Sequence, residues 1–435
     1  MWSLATIILS LILLIFLAFR GFSIIIIAPV VSLFVIVLNN MPILETFQND
    51  YMGGFVNYAK NYYLIFLFAA MFGKFMDDSG AARTIAQALL KILGKDSKYK
   101  VLVSIMVICA FLTYGGITLF VVIFAVLPIA KPLFREMNIP WHLFLASFFI
   151  GIGTFTMTML PGTPSIQNII PINYLGTDVQ SGAWIGIVAT IVVLAINLWY
   201  LKFALKRSEK RGETYASMKN LEKADGENID KYADKKLPGL ILSLTPPILL
   251  LVLLNLFKVE VLYTLMIAVF VCSIIFWKYI EKKKETINIG VTNAVLPVVN
   301  TSADVGYGAV IAATSGFAIF TDIMTNIPGS PLISLFVATT ALAGITGSAS
   351  GGLAIAMETL SPIYLDLGVN PDAMHRIAAI ASGGLDSLPH NGAVITSLVV
   401  AGLTHKDAYK HVFVTCVIAP LVAAIPALLV AIMIY

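Results

Sequence analysis

Charge is what this sequence has least of. Only 12% of its 435 residues are charged, against 59% hydrophobic, where a typical soluble domain carries about 25% charged residues. There are too few polar residues to cover the surface of a water-soluble fold of this length. Cysteine is also scarce. Cys109, Cys272 and Cys416 are odd in number, far apart and set inside apolar runs, so neither a disulfide framework nor a metal site is expected. The first apolar run, residues 3–19, lacks a basic leader and a small-residue cleavage site, so it reads as a span and not as a signal peptide. The net charge of +4 lies in loops, where it sets orientation in a bilayer and does not suggest a nucleic-acid partner.

What the chain does have is apolar runs of membrane-crossing length, repeated along its whole extent. One segment interrupts them. Residues 206–237 are dense in both signs of charge and form a connector between a first membrane repeat (1–205) and a second (238–435). Its basic excess, with Lys202, Lys206, Arg207, Lys210 and Arg211 at the membrane exit, puts it in the cytoplasm. Propagating that orientation gives spans at 3–19, 22–39, 61–78 and 182–204, then 238–257, 261–280, 301–321 and 411–434. Both termini are then extracytoplasmic. The runs 101–134 and 332–364 must leave on the side they entered, so each is a re-entrant hairpin. The runs 141–172 and 373–402 are broken spans.

The expected fold is an all-α polytopic membrane protein with five spans plus one re-entrant hairpin per half. Gly115-Gly116, Pro128, Pro140 and Leu160-Pro161 recur in order as Gly351-Gly352, Pro362, Pro371 and Leu388-Pro389. Matched landmarks in halves of opposite orientation describe an inverted-topology repeat with broken helices at the midplane, as secondary transporters have.

Glycine, serine and proline clusters explain the breaks. Non-helical backbone at membrane depth survives only inside protein or against a watery cavity. Glycine supplies the turn and lets a ligand approach the main chain. Half-helices that start there carry free N–H groups and partial positive charge, which suit a carboxylate. Thr118 sits at one tip, and Ser348 and Ser350 at the other. In "LPGTPSIQN" (160–168), Pro164 disfavours helix at Thr163, and Ser165, Gln167 and Asn168 follow. "GGLDSLPHNGAVITS" (383–397) offers Asp386, Ser387, His390 and Asn391. His390 and Asp386 are the candidates for carrying a coupling cation, because ionisable residues inside spans are usually functional. Lys74, Asp77 and Asp78 read as an interfacial charge cluster, and Arg376 as a snorkelling side chain near the outer face.

"TYGGITLFVVIFAVLPIAKPLFRE" (113–136), "TMLPGTPSIQNIIP" (158–171), "ITGSASGG" (345–352) and "HRIAAIASGGLDSLPHNGAVIT" (375–396) resemble the gluconate permease family of the ion transporter superfamily. The resemblance runs from about residue 60 to 415. It implies a secondary transporter of a small organic anion such as gluconate or a short hydroxy acid, usually proton-driven, in the bacterial cytoplasmic (inner) membrane. It also implies a homodimer with an elevator mechanism. By the same resemblance Gly115, Gly116, Thr118, Thr163, Ser165, Ser348, Ser350, Gly351, Gly352 and Asn391 form the substrate site, which Asn168 and His390 extend. The Ser-Asn-Thr tip signature of sodium-coupled relatives is absent, which favours H+ over Na+. No other cofactor is implied.

Two other readings compete. A cation/proton exchanger would use Asp77, Asp78 and Asp386 and no organic substrate. A membrane hydrolase would need Asp386, Ser387 and His390 as a triad, but these are crowded into five residues.

Overall fold

The computed structural model describes residues 2–20, 22–93, 97–114, 119–215, 236–325 and 327–435, and among these there is no β-strand. Eighteen α-helices of nine residues or longer lie among them, nine on each side of the connector. The first nine are α1 (Trp2–Phe19), α2 (Ile24–Leu38), α3 (Met52–Asp78), α4 (Ala81–Leu93), α5 (Lys98–Tyr114), α6 (Leu119–Glu136), α7 (Leu143–Gly153), α8 (Ile166–Leu175) and α9 (Ala183–Lys210). The second nine are α10 (Leu240–Asn255), α11 (Val261–Phe276), α12 (Lys283–Ala312), α13 (Ser315–Thr325), α14 (Pro331–Thr346), α15 (Ala349–Asp366), α16 (Pro371–Ser382), α17 (Gly392–Val400) and α18 (Ala419–Ile434).

The packing of the first set recurs in the second. α1 lies on α2 as α10 lies on α11, α4 on α5 as α13 on α14, and α5 on α7 as α14 on α16. Contacts between the sets follow the same correspondence. α2 meets α12 and α11 meets α3, while α8 meets α15 and α17 meets α6. Two pairs map onto themselves, α3 with α12 and α9 with α18.

Among the described residues four helices are long and apolar enough to cross a bilayer: Ala183–Lys210, Val261–Tyr279, Lys283–Ala312 and His405–Ile434. Shorter apolar helices include Ile24–Leu38 and Pro331–Thr346. Large apolar side chains such as Phe16, Trp184, Trp199, Phe270 and Met433 stand exposed on the outside. A water-soluble surface does not carry this much aliphatic and aromatic area, whereas lipid covers it. The chain is an integral membrane protein.

Both expected hairpins are helix pairs, α5–α6 and α14–α15, and both expected broken spans are interrupted, between α7 and α8 and between α16 and α17. Three boundaries differ from expectation. The span drawn at 301–321 is cut by a turn at 313–314, and its helix begins far upstream at Lys283. Close packing fixes that turn: Gly316 N–H donates to Ser3 Oγ at 2.8 Å, and a Cβ at Gly316 would meet the Ser3 backbone at 2.6 Å. The span drawn at 61–78 likewise belongs to a helix beginning at Met52. The connector starts later than 206, because α9 runs on to Lys210, and residues 216–235 of it lie outside the described residues. Apolarity marks where side chains are greasy, not where the backbone turns.

A hydrogen-bonded relay closes the connector end of α9. His142 Nε2 lies 2.9 Å from Glu213 Oε2, His142 Nδ1 lies 2.8 Å from His411 Nε2, and His411 Nδ1 lies 3.0 Å from the Tyr200 hydroxyl. One set of tautomers satisfies every link: Tyr200 donates to His411, His411 to His142, and His142 to the Glu213 carboxylate. The two rings stack at 4.8 Å. A second proton on His142 would reverse the inner links, with His142 Nδ1–H donating to His411 and His411 Nδ1–H to the Tyr200 hydroxyl. Burial works to raise Glu213, but hydrogen bonds from Ser208 and His142 outweigh it and hold the carboxyl low.

The unfolded chain binds a proton that the folded Glu213 carboxylate refuses, so stability falls as pH drops through the carboxylate range. The melting temperature of the detergent-purified protein should therefore decline between about pH 6 and about pH 4, and Glu213→Gln should flatten that decline. An identical slope in the variant would remove Glu213 from the effect.

Candidate functional site

Each interruption is built by residues that tolerate it. α14 ends at Gly347, whose φ of +61° is left-handed, and Ser348 opens α15. A Cβ at Gly347 would lie 2.3 Å from the His390 ring, and one at Gly352 would lie 2.3 Å from the Ala343 backbone. The tip is therefore as close-packed as its composition allows. After α7, Thr154 leaves the helical region (φ −118°, ψ −107°), a π-turn covers Phe155–Met159, and residues 160–165 lead into α8. Residues 383–391 separate α16 from α17. The tip of the first hairpin, with Gly115, Gly116 and Thr118, lies outside the described residues.

The carbonyls at these breaks are taken up by side chains. Thr156 donates to Gly151 O at 2.8 Å and Thr158 to Thr154 O at 3.0 Å. Thr340 donates to Ala381 O at 3.0 Å, His405 to Pro389 O at 2.8 Å and Tyr409 to Ser387 O at 3.1 Å. Asn391 donates to Gly347 O at 2.7 Å, which ties the second broken span to the second hairpin tip.

The N–H groups are treated differently. Ser348 Oγ accepts from Gly351 and Asn391 Oδ1 accepts from Val394, each capping the third residue of its helix. The first two N–H groups remain open at each of three helix starts. They belong to Ile166 and Gln167 on α8, Ala349 and Ser350 on α15, and Gly392 and Ala393 on α17, and they meet no acceptor among the described residues. All six residues line one cavity of about 180 Å³, to which Leu119 at the start of α6 also contributes.

Ser165, Ser348 and Asn391 add polar groups to this cavity. α12 contributes Asn300 and Asp304, while α3 opposes them with Ile65, Phe66 and Ala69. Asp386 is the second carboxylate. No lysine, arginine or histidine is among the described residues that line it. The cavity thus joins oriented N–H donors, neutral hydroxyls and amides, and two acidic side chains. Such a site can hold a carboxylate by main-chain dipoles and a cation by its acids.

Of the residues expected from sequence, Ser165, Ser348, Ser350, Asn391 and Asp386 line the cavity. Thr163, Asn168, Gly351, Gly352 and His390 are buried but stand outside its lining. His390 packs behind Gly347, and neither ring nitrogen meets a hydrogen-bond partner, with the Gly344 carbonyl nearby. Asn168 is a clasp: it donates to Thr163 O at 2.9 Å and Val179 O at 3.0 Å, and its carbonyl lies 2.9 Å from His375 Nε2.

Arg376 corrects the snorkelling expectation. It is fully buried and donates to Ser181 O at 2.8 Å and Val179 O at 3.0 Å, holding the loop after α8. Carbonyls that converge from another segment are invisible in sequence. Lys74 pairs with Asp78 at 2.7 Å, and Asp78 accepts from Thr286 at 2.6 Å, so this cluster joins α3 to α12 away from the cavity. Asn300 and Asp304 went unassigned at the sequence level. A signal was present, because Asp304 is a lone acid within an apolar segment.

Comparison with known proteins bears on this geometry. A family model described as GntP family permease matches residues 1–264. The uncharacterized transporter YxjC of Bacillus subtilis (strain 168) is 36% identical over 447 residues, which covers 94% of this chain and 94% of that protein.

The tip packing generates a test. Gly347→Ala forces a side chain into left-handed backbone, worth about 1–2 kcal/mol, and against the His390 ring. The single variant should melt below the wild type, and adding His390→Ala should recover part of the loss. Equal melting of the single and double variants would show that His390 does not pack on the tip.

Proposed function

The chain belongs to the GntP permease family, and from that premise we propose that it imports a small organic hydroxycarboxylate, such as gluconate or a short hydroxy acid, by proton symport. One observation carries this reading. Six unpaired N–H groups from three helix starts meet in a cavity with two acids and no basic side chain. Helix starts act as fractional positive charges and favour a single carboxylate. With no fixed cation present, an anion that enters beside Asp304 and Asp386 brings a cation with it. A multiply charged substrate would call for arginine or lysine in the lining.

The recurrent packing of the two sets of nine helices supports an inverted-topology repeat across the membrane, with the broken segments near its midplane. In that arrangement the connector is cytoplasmic, both termini lie outside, and the molecule sits in a bacterial cytoplasmic membrane. An elevator motion of a dimer fits the division between the paired α3–α12 helices and the hairpin tip. Only the Tyr58–Ser350 hydroxyl contact, 2.9 Å long, bridges them by a side-chain hydrogen bond among the described residues. The second reading, a cation/proton exchanger, draws on the same two carboxylates but leaves the open N–H groups without a purpose.

Counterflow in proteoliposomes tests the proposal. Labelled gluconate or 3-hydroxybutyrate should exchange across the membrane, and an inward proton gradient without sodium should drive its accumulation. Cation flux with no anion movement from a panel of hydroxy acids would favour the exchanger. Gly351→Leu should abolish uptake while insertion persists, because a Cβ there already lies 3.0 Å from Val305 Cγ2. Full uptake by this variant would count against substrate binding at the tip.

A further inference from the structure

The two walls of the cavity are unlike. α3 and α12 pack along each other, and each presents residues one helical turn apart to the same space. On α3 these are Ile65 and Ala69, and on α12 they are Asn300 and Asp304. Asp304 is 3% exposed, yet it makes no hydrogen bond or ion pair among the described residues.

No basic group is among the described residues that line the cavity with it. The phenols of Tyr51 and Tyr58, from the turn before α3 and from α3 itself, lie within electrostatic range of it, and Tyr307 follows three residues on along α12. Asp386 is the other acid of the cavity. α2, α14 and α17, which also pack on α12, carry no ionisable residue. Lys60 on α3 is exposed, Lys74, Asp77 and Asp78 form their own cluster at the end of α3, and Asp322 on α13 is exposed. Glu358 and Asp366 occupy the half of α15 remote from the tip.

The two acids differ in what holds them. Asp386 accepts from Ser387 Oγ at 3.1 Å, so one of its oxygens is held by its own loop. Neither oxygen of Asp304 is held, and an ionised carboxylate in that position would stand desolvated and unpaired, which proteins avoid. Asp304 also has a route to the moving part. It lies beside Tyr58, whose hydroxyl bonds to Ser350 at the first turn of α15.

Resting on the carrier reading above, we infer that Asp304 is the coupling residue: it takes up the co-transported proton from the outside, holds it while the anion occupies the cavity, and releases it inside. Asp386 is a loop-organising acid, and Tyr58–Ser350 reports the occupancy of Asp304 to the hairpin tip.

The experiment compares Asp304→Asn, Asp304→Glu and Asp386→Asn with the wild type in proteoliposomes, by counterflow and by proton-driven accumulation. Asp304→Asn mimics the protonated side chain permanently. It should retain counterflow of the labelled hydroxy acid but lose uphill accumulation and its pH dependence. Asp304→Glu should keep accumulation, while Asp386→Asn, which alters the cavity lining, should keep the pH dependence of whatever accumulation it retains. Retained accumulation in Asp304→Asn overturns the assignment, as does loss of coupling in Asp386→Asn alone, or accumulation that requires sodium. Wild-type protein that exchanges no hydroxy acid of the panel defeats the carrier reading itself, a separate result.

Should Asp304→Asn not survive purification, the wild type still decides. Dicyclohexylcarbodiimide attacks protonated, buried carboxyls, and peptide mapping of the inactivated protein should place the adduct on Asp304. An adduct confined to Asp386 overturns the inference.

Discussion

Backbone removed from water must find partners for its C=O and N–H groups, and the remainder of this molecule follows from how it meets that demand. Thr156, Thr158, Thr340, Asn391, His405 and Tyr409 take up carbonyls at the interruptions. The N–H groups at three helix starts are left to a cavity. The imbalance is directional. These six carbonyls have side-chain donors while the six N–H groups have no acceptor among the described residues, so the helix starts present partial positive charge with no basic side chain among the described lining residues. Dipoles of this kind are fixed by the fold and need no long flexible side chain to be ordered around a ligand.

Much of this was legible before any coordinates. Gly/Ser and Pro clusters mark interruptions of helix between α7 and α8, between α14 and α15 and between α16 and α17, because those residues suit backbone that leaves the helix. What escaped was tertiary. Arg376 looked like a surface cation, yet it is buried against carbonyls of the loop after α8. His142 and His411 are 269 positions apart and meet only through the packing of α7 against the segment before α18. His390 drew attention because it is a histidine in a break, but it serves as packing behind Gly347. Asp304 lies outside the matched Gly/Pro landmarks, inside the unbroken helix α12, although an acid in so apolar a segment is itself a signal.

The two sets of helices share their contacts but not their chemistry. Ile65 and Ala69 face the cavity from α3 where Asn300 and Asp304 face it from α12. The recurrent contacts of the two sets give two similar surfaces, and a few side chains make one of them polar. On the proposed carrier reading, the shared packing would position the site and the difference in side chains would set its selectivity.

That inequality has a stereochemical consequence. A hydroxy acid whose carboxylate is anchored at the helix starts would meet a hydrocarbon face from α3 on one flank and an amide and an acid from α12 on the other. On the proposed carrier reading, mirror-image substrates would place a hydroxyl against Ile65 in one case and near Asn300 in the other, and the two hands would be bound unequally.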